Sequence, residues 1–293
     1  MLRRSLDGVA LGDALGQSLL TAPSRVPEFS AAPWRYSDDT EMAVAIVAVL
    51  ARHGRIDQDA LAAAFVSRFS ADPERGYGAG SYWTLSRISQ GARWQDAASE
   101  VFGGRGSLGN GGAMRAAPLG VYFSDDLDRL VVEARLSAEV THAHPEGQAG
   151  AIAVALAAAI AVTQRDAGLS AIDSVAERLP SGPLWAMLHR AARLGGASPS
   201  EAGEVLGTGL HIRADDTVPF ALWCAFNHID DYGAAQLAAI EGFASPASDR
   251  DTVCAIVGGV VGAACHPETI PEAWRSRREP FPDDIDEMFR DGL

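Results

Sequence analysis

The longest apolar stretch of this 293-residue sequence covers residues 149–162 and is built mainly from alanine. Alanine has the highest helix propensity of all residues, and a helix that is apolar on every side has to be buried. A helix that spans a bilayer needs about 20 apolar residues, whereas this stretch has fourteen. It therefore predicts a helix in the centre of a protein core and no membrane span.

The other periodic segments also have helical spacing, because the alternation typical of strands is scarce. With 47% hydrophobic and 21% charged residues, the chain has the composition of a globular protein. We predict an all-α fold, a compact single-domain orthogonal multi-helix bundle. The predicted helices cover residues 7–20, 40–53, 58–70, 80–88, 94–102, 128–140, 146–165, 172–178, 184–194, 199–206, 218–228, 233–243 and 252–265.

No Pro- or Ser-rich linker divides the chain, so we predict one domain over residues 1–293. Its end, residues 275–293, is rich in Arg, Asp and Pro, which is typical of a loosely held tail. Several helix starts carry N-terminal capping residues: Asp57, Ser198, and Asp216 with Thr217.

Acidic side chains outnumber basic ones by 38 to 24, which gives a formal net charge of −14. This excess opposes general nucleic-acid binding and binding to anionic membranes. Cys224, Cys254 and Cys265 lie in apolar runs without C-x-x-C spacing, so we expect buried thiols in a reducing, cytoplasmic setting. We expect no secretory signal at the N-terminus.

Two acidic clusters come directly before apolar helical segments. The first is Ser37-Asp38-Asp39-Thr40, and the second is Asp249-Arg250-Asp251-Thr252. Each could be a helix cap whose charge is stabilised by the helix dipole. Each also offers an all-oxygen surface of the kind that Mg²⁺ prefers. If the core brought the two clusters together, their carboxylates would repel one another unless cations lay between them.

Residues 103–115 form the most unusual segment, G-G-R-G-S-L-G-N-G-G-A-M-R. Glycines leave backbone amides free to approach a ligand, so the segment predicts an anion-binding loop, although a plain surface loop is an equally good interpretation. The dinucleotide and P-loop fingerprints are both absent from it. Gly8, Gly12 and Gly16 share one helix face, which favours close helix packing.

Thr141-His142-Ala143-His144-Pro145-Glu146 offers two imidazoles just before the long apolar helix. As zinc ligands they lack partners nearby in the sequence. A ligand contact by a loop histidine, or capping of the helix that follows, is the better interpretation of this segment.

Taken in order, these segments resemble the ADP-ribosylglycohydrolase family, which includes the dinitrogenase reductase-activating glycohydrolase and the ADP-ribosylarginine and ADP-ribosylserine hydrolases. The matching pieces are G-V-A-L-G-D-A-L-G at 8–16, S-D-D-T at 37–40, G-S-L-G-N-G-G-A-M-R at 106–115, T-H at 141–142, D-T-V-P-F-A-L-W at 216–223 and D-R-D-T-V at 249–253. The resemblance implies an all-helical fold whose central cleft holds two Mg²⁺ ions, with Mn²⁺ as an alternative. It also implies hydrolysis of the bond between ADP-ribose and a protein side chain or small acceptor.

The resemblance carries over to individual residues. The implied metal ligands are Ser37, Asp38, Asp39, Asp249, Asp251 and Thr252. The implied substrate-binding residues are Gly106, Ser107, Leu108, Gly109, Asn110 and Gly111, which match the loop that holds the diphosphate and ribose, and His142.

Two departures from the family pattern affect the expected chemistry. The second metal motif usually reads G-G-D-T-D-T, whereas here Ala247-Ser248 replaces the glycines and Arg250 replaces the intervening Thr. Several members also carry an acidic residue shortly after G-D-A-x-G, where this chain has Gln17-Ser18-Leu19-Leu20. The next carboxylate is Glu28, so we expect the catalytic set to be Asp38, Asp39, Asp251 and Glu28.

The function expected from these residues is an ADP-ribosylhydrolase in which a water activated by two metal ions attacks the anomeric carbon of the ribose. The Gly-rich loop would hold the diphosphate, and a group with a raised pKa would protonate the departing acceptor. The missing early carboxylate leaves an alternative, a catalytically weak or inactive ADP-ribose-binding or structural member of the same fold. A phosphohydrolase acting on phosphate monoesters is a weaker possibility.

Overall fold

The computed structural model describes residues 1–21, 32–243 and 245–290. Within these ranges every regular element is helical, apart from two isolated β-bridges, which confirms the predicted all-α class. The first eight helices are α1 (Leu2–Thr21), α2 (Asp38–His53), α3 (Gln58–Ala71), α4 (Ala79–Ser89), α5 (Trp94–Gly104), α6 (Ala117–Tyr122), α7 (Leu127–Glu139) and α8 (Pro145–Thr163). The others are α9 (Ser170–Ala176), α10 (Pro183–Ala192), α11 (Pro199–Leu206), α12 (Ala214–Asn227), α13 (Tyr232–Gly242), α14 (Arg250–Ala264), α15 (Glu272–Arg275) and α16 (Asp283–Arg290).

The alanine-rich helix α8 lies in the core, as its composition predicts. It packs against α6, α7, α12 and α14, and almost every side chain from Ala149 to Ala161 is buried. It is also the one helix of the described residues that is long and apolar enough to cross a membrane, and most of it is buried inside the fold. His144 caps it, because its Nδ1 accepts a 3.1 Å hydrogen bond from the amide of Glu146.

Helices α1 and α14 approach each other along a face made of glycine. A Cβ atom added at Gly8 would clash with the carbonyl of Gly258, and one added at Gly12 would clash with the carbonyl of Cys254. At Gly16 it would lie 2.5 Å from the carbonyl oxygen of Arg250. The predicted packing role of these glycines is therefore confirmed, and it sets the C-terminal end of α1 beside the N-terminal end of α14.

Some boundaries differ from the sequence prediction. Helix α12 begins at Ala214, so Asp216 lies in its first turn and does not cap it; its Oδ2 instead accepts a 2.7 Å hydrogen bond from the amide of His211. Asp57 and Ser198 cap α3 and α11 as predicted. Helix α6 was not predicted, because Pro118 and Gly120 conceal its short apolar pattern.

The C-terminal segment that was predicted to be loosely held contributes buried side chains, among them Phe281 and Ile285. Its backbone pairs with the residues before α2, since the amide of Trp34 donates to the carbonyl of Arg277 at 2.7 Å. Glu279 accepts a 2.9 Å hydrogen bond from the amide of Tyr36 and forms an ion pair with Arg75. The segment therefore supports the stretch that leads into the first acidic cluster.

Candidate active site

One cavity of about 620 Å³ gathers most of the predicted site residues. This volume lies within the range of small-molecule sites, about 300–1,000 Å³. The predicted residues that line it are Asp38, Asp39, Gly106, Ser107, Leu108, Gly109, Asn110, Gly111, His142, Asp249, Asp251 and Thr252. Ser37 lies behind this lining, where its hydroxyl donates to Asp39 Oδ2 at 3.0 Å. Glu28 lies outside the described residues.

Asp13 of α1 organises the N-terminal end of α2. This fully buried carboxylate accepts hydrogen bonds from the amides of Ser37 and Thr40, at 2.8 and 3.1 Å, and from the Thr40 hydroxyl at 2.6 Å. Burial raises the pKa of Asp13 to about 7, and the negative charge of Asp251 contributes to that rise. Asp13 therefore fixes the turn that carries the first acidic pair.

Amide side chains hold the carboxylates at the N-terminal end of α14. Asn110 Nδ2 donates to Asp249 Oδ2 at 2.7 Å, and Gln17 Nε2 donates to Asp251 Oδ2 at 2.6 Å. Asp249 precedes the helix without capping it through its side chain. The second cluster therefore points its carboxylates into the cavity, toward the loop and the end of α1.

The electrostatics show that the two clusters face each other. Burial raises the pKa of Asp38 well above its usual value, and the charge of Asp251 across the cavity raises it further. Burial and the charge of Asp13 do the same for the pKa of Asp39. Burial and the charge of Asp251 also raise the pKa of Asp249. Acidic groups from α1, α2 and α14 therefore repel one another, as we expected if the core brought them together.

The donor set fits a hard divalent cation. Its oxygens are carboxylate and hydroxyl groups, and Asp39 Oδ1 is buried with no hydrogen-bond partner in the described part of the chain. Within residues 1–21, 32–243 and 245–290, however, no group of three or more His, Cys, Asp or Glu side chains is arranged so that it could hold a metal ion. The dinuclear metal cleft therefore stays a prediction.

The Gly-rich segment is an anchored loop and not a plain surface loop. Gly106 has a φ of 71°, and a Cβ there would lie 2.7 Å from the amide nitrogen of His144. The amide of Asn110 donates to the carbonyl of Ile212, and the amide of Ala214 donates to the carbonyl of Leu108, both at 3.2 Å. These bonds fix the loop against the segment that leads into α12.

Two backbone amides of this loop are available to a ligand. Ser107 and Leu108 line the cavity, and neither of their N–H groups donates to an acceptor in the described part of the chain. Buried N–H groups are almost always paired with protein, water or ligand. The loop therefore presents two free donors at a concave surface, and its predicted role in anion binding stays a prediction.

His142 packs against the same loop from the inside. A Cβ at Gly111 would lie 3.0 Å from its Cε1 atom, so a larger residue there would require the ring to shift. Its Nδ1 lies 2.8 Å from the hydroxyl of Thr141. Burial lowers the pKa of His142 to about 3, and the positive charge of Arg115 lowers it further. The imidazole is therefore neutral.

Two apolar side chains stand at the mouth of the cavity in a strained backbone conformation. Phe102 has a φ of 54° and Ile212 a φ of 56°, and both line the cavity. Positive φ is a genuine outlier for a β-branched residue. Both side chains are more than half exposed, 52% and 58%. Strained backbone of this kind clusters at active sites and ligand-binding sites.

Sequence reasoning missed Asp13, Gln17 and Arg115 as parts of the site. Asp13 was visible as a lone carboxylate between apolar residues of a predicted buried helix, which is a signal of a buried polar role. At position 17 the sequence indicated only that the acidic residue found in this stretch of several family members is missing. Arg115 gave no such signal, because arginine is ordinarily found at the surface.

Comparisons with known proteins agree with this architecture. The model of the ADP-ribosylglycohydrolase family matches residues 2–293. ADP-ribosylhydrolase ARH3 of Bos taurus is 30% identical in an alignment of 277 positions that covers 84% of this chain and 74% of that protein. ADP-ribosylarginine hydrolase Tri1 of Serratia proteamaculans is 25% identical, over 92% of this chain and 73% of its own.

A solved structure shares the fold. It is titled ADP-ribosylglycohydrolase-related protein complex, is 23% identical, and superposes with a TM-score of 0.69 over 98% of this chain and 94% of its own. The family and the enzyme class predicted from the sequence are confirmed by the family match and the similar hydrolases. The chain therefore belongs to the ADP-ribosylglycohydrolase family of glycosidic-bond hydrolases.

Proposed function

We propose that this protein hydrolyses the N- or O-glycosidic bond that joins ADP-ribose to a protein side chain or a small acceptor, in a reaction that depends on Mg²⁺. One observation carries the proposal: acidic clusters from opposite ends of the sequence line the same cavity as a loop with free backbone amides. The similarity to ARH3 and to an ADP-ribosylarginine hydrolase supports the substrate class.

Asp38, Asp39, Asp249, Asp251 and Thr252 would hold the cations, with Ser37 fixing Asp39. Bound divalent ions supply Lewis-acid chemistry and lower the pKa of water, and Mn²⁺ can serve in the same way. The repulsion among the buried carboxylates supports this assignment, since a cation would remove it.

The loop would bind the diphosphate. In a protein of net charge −14, an anionic ligand needs local donors that the overall field does not provide. The free amides of Ser107 and Leu108 offer such donors, and Arg105 at the cavity wall adds a positive charge. Phe102 and Ile212 at the mouth offer apolar surfaces that suit the flat face of a base.

A proton must reach the departing acceptor. A group with a raised pKa suits this step because it holds a proton near neutral pH. Cations held by Asp38 and Asp249 would keep these carboxyls ionised, so they would not carry this proton once the site is loaded. Glu28 is the remaining predicted donor. Residues 17–20, where several family members carry an acid, supply no carboxylate here.

The setting we propose is the cytoplasm. Cys224, Cys254 and Cys265 are buried free thiols, as the sequence predicted. Unpaired thiols are ordinary in reducing compartments, where disulfides are rare.

Release of ADP-ribose from a panel of ADP-ribosylated arginine, serine and small-molecule acceptors, with and without EDTA, tests the proposal. Asp38→Asn and Asp251→Asn should each abolish Mg²⁺-dependent release. The matched control is Asp125→Asn, because Asp125 is an exposed carboxylate away from the cavity. Unchanged turnover in both site variants would refute the metal assignment. Tight ADP-ribose binding without release from any acceptor would support the alternative, a binding protein that does not hydrolyse.

A further inference from the structure

Arg115 is a buried cation without a carboxylate partner in the described part of the chain. Its side chain is completely inaccessible to solvent, and its guanidinium lies over the ring of Phe65, 4.5 Å from the ring centre. Nη2 donates to the carbonyl of Ser137 at 3.2 Å and to the hydroxyl of Thr141 at 2.9 Å. Burying a charge is expensive, which suggests that this position has a role besides packing.

The bond from Arg115 constrains the hydroxyl of Thr141. A guanidinium only donates, so Thr141 Oγ1 is the acceptor in that bond. The hydroxyl proton then needs an acceptor of its own. Among the described residues, the one other group that Oγ1 meets within hydrogen-bond distance is His142 Nδ1, at 2.8 Å. The hydroxyl therefore donates to Nδ1, and Nδ1 carries no proton.

The other ring nitrogen of His142 must then carry the proton. The imidazole is neutral, because burial and the charge of Arg115 oppose a second proton. A neutral imidazole with an unprotonated Nδ1 is protonated at Nε2. Nε2 has no hydrogen-bond partner in the described chain, and a Cβ at Gly109 or Gly111 would lie 3.5 or 3.2 Å from it. The N–H group therefore faces the loop side of the cavity.

We propose that Arg115 and Thr141 are positioning residues that hold His142 as the Nε2–H tautomer, so that its imidazole offers a fixed donor to an oxygen of the ligand bound at residues 106–111. The opposite tautomer would turn a lone pair toward an anionic ligand. The inference rests on the proposed function in one respect, because the ligand is taken to be ADP-ribose.

The experiment compares Thr141→Val with Thr141→Ser. Serine keeps the hydroxyl, whereas valine has nearly the same shape and removes it. A long-range ¹H–¹⁵N spectrum of the ligand-free protein reports which nitrogen of each histidine carries the proton, and His142→Asn assigns the signal. Calorimetry with ADP-ribose and Mg²⁺ gives the affinity of each variant, and circular dichroism checks that each is folded.

We expect the Nε2–H form in the wild-type protein and in Thr141→Ser. Thr141→Val should show a mixture of the Nδ1–H and Nε2–H forms, because no hydroxyl then keeps the proton off Nδ1. It should bind ADP-ribose about 2- to 5-fold more weakly than Thr141→Ser, as expected when only part of the protein presents the Nε2 donor. Arg115→Met should shift the tautomer in the same direction. If this variant does not fold, Thr141→Val alone decides.

An unchanged tautomer in folded Thr141→Val would overturn the inference, and so would a changed tautomer with the affinity of Thr141→Ser. A failure of the proposed function would give a different result. The wild-type protein would then show the Nε2–H form but bind no ADP-ribose, which would refute both the ligand contact and the proposed function.

Discussion

The side-chain amide of Gln17 donates a 2.6 Å hydrogen bond to Oδ2 of Asp251, and so joins the end of α1 to the first turn of α14. Gln17 occupies the stretch in which several members of the family carry an acidic residue. Here it neutralises no charge but supplies a donor to a carboxylate that has several acidic neighbours. It therefore orients Asp251 without adding to the repulsion in the cavity.

Replacing this donor by a carboxylate should weaken the protein when no cation is present. Gln17→Glu places a second negative charge beside Asp251, which we expect to cost about 1–3 kcal/mol of folding free energy. Gln17→Leu is the matched control, because it removes the donor without adding charge. In thermal melts with EDTA the Glu variant should unfold at the lower temperature, and Mg²⁺ should remove the difference. A Glu variant as stable as the Leu variant in EDTA would contradict the proposed crowding of charge.

The contact between α1 and α14 should not tolerate a methyl group. In Gly16→Ala the new Cβ would lie 2.5 Å from both the carbonyl oxygen of Arg250 and the Cα of Asp251. Overpacking of this kind costs about 1–3 kcal/mol. Gly195→Ala is the control, because its Cβ would meet only Leu169 Cδ1, at 3.9 Å. Denaturant titration should show a loss of stability for Gly16→Ala alone, and equal midpoints would refute the packing account.

Stability without a cation should fall as the pH rises through neutrality. The pKa of Asp13 is raised to about 7 from its ordinary 3.8, so the folded chain keeps a proton that the unfolded chain has released. The contribution of this Asp13 proton to the free energy of unfolding is complete below about pH 4, decreases as the pH rises, and is lost above about pH 7. The raised pKa values of Asp38, Asp39 and Asp249 act in the same direction.

The window from about pH 6.5 to 8 tests this prediction cleanly. His142 has the opposite sign, because its pKa is lowered to about 3, and its contribution fades above its ordinary value of 6.5 as the imidazole of the unfolded chain also becomes neutral. The melting temperature in EDTA should therefore decrease across this window. With Mg²⁺, which favours ionised carboxylates, the decrease should disappear. A melting temperature that rises with pH in EDTA would contradict the raised pKa values.

Glu279 should affect the site although it lies near the C-terminus. Its carboxylate accepts from the amide of Tyr36, which comes just before the first acidic cluster, and pairs with Arg75. Glu279→Ala leaves that amide unpaired, which we expect to cost about 1–3 kcal/mol, and it should raise the Mg²⁺ concentration required for half-maximal turnover. Glu272→Ala is the control, because the Glu272 side chain is 80% exposed. An identical Mg²⁺ requirement in both variants would show that the tail does not support the site.

The residues that line the cavity could be predicted from the sequence where they belong to short, distinctive segments. Asp38 and Asp251 each stand at the start of an apolar helix, and the apolar face requires that start to lie near the core. The loop at residues 103–115 could also be predicted, because such a high density of glycine indicates a backbone that a ligand can approach closely. The sequence does not show which helices become neighbours. The two acidic clusters share a cavity because α1, α2 and α14 pack together, and that packing is known only from the structure.

Other parts were hidden because their signals depend on tertiary contacts. Arg115 is buried against Phe65, far away in the sequence, and nothing local distinguishes it from a surface arginine. Phe281 and Ile285 are spaced among charged residues, so their segment had the composition of a loose tail although both side chains are buried. The role of Gln17 depends on the packing of α1 against α14. The glycines of α1 predicted close packing with another helix, but they did not identify α14 as that helix.

The central claim is that carboxylates from α2 and α14 together bind divalent cations, and Mn²⁺ binding followed by electron paramagnetic resonance tests it most directly. The proposal predicts two Mn²⁺ ions bound per chain and the loss of at least one of them in both Asp38→Asn and Asp251→Asn, with Asp125→Asn unchanged. No binding by the wild-type protein, or full binding by either site variant, would contradict the claim.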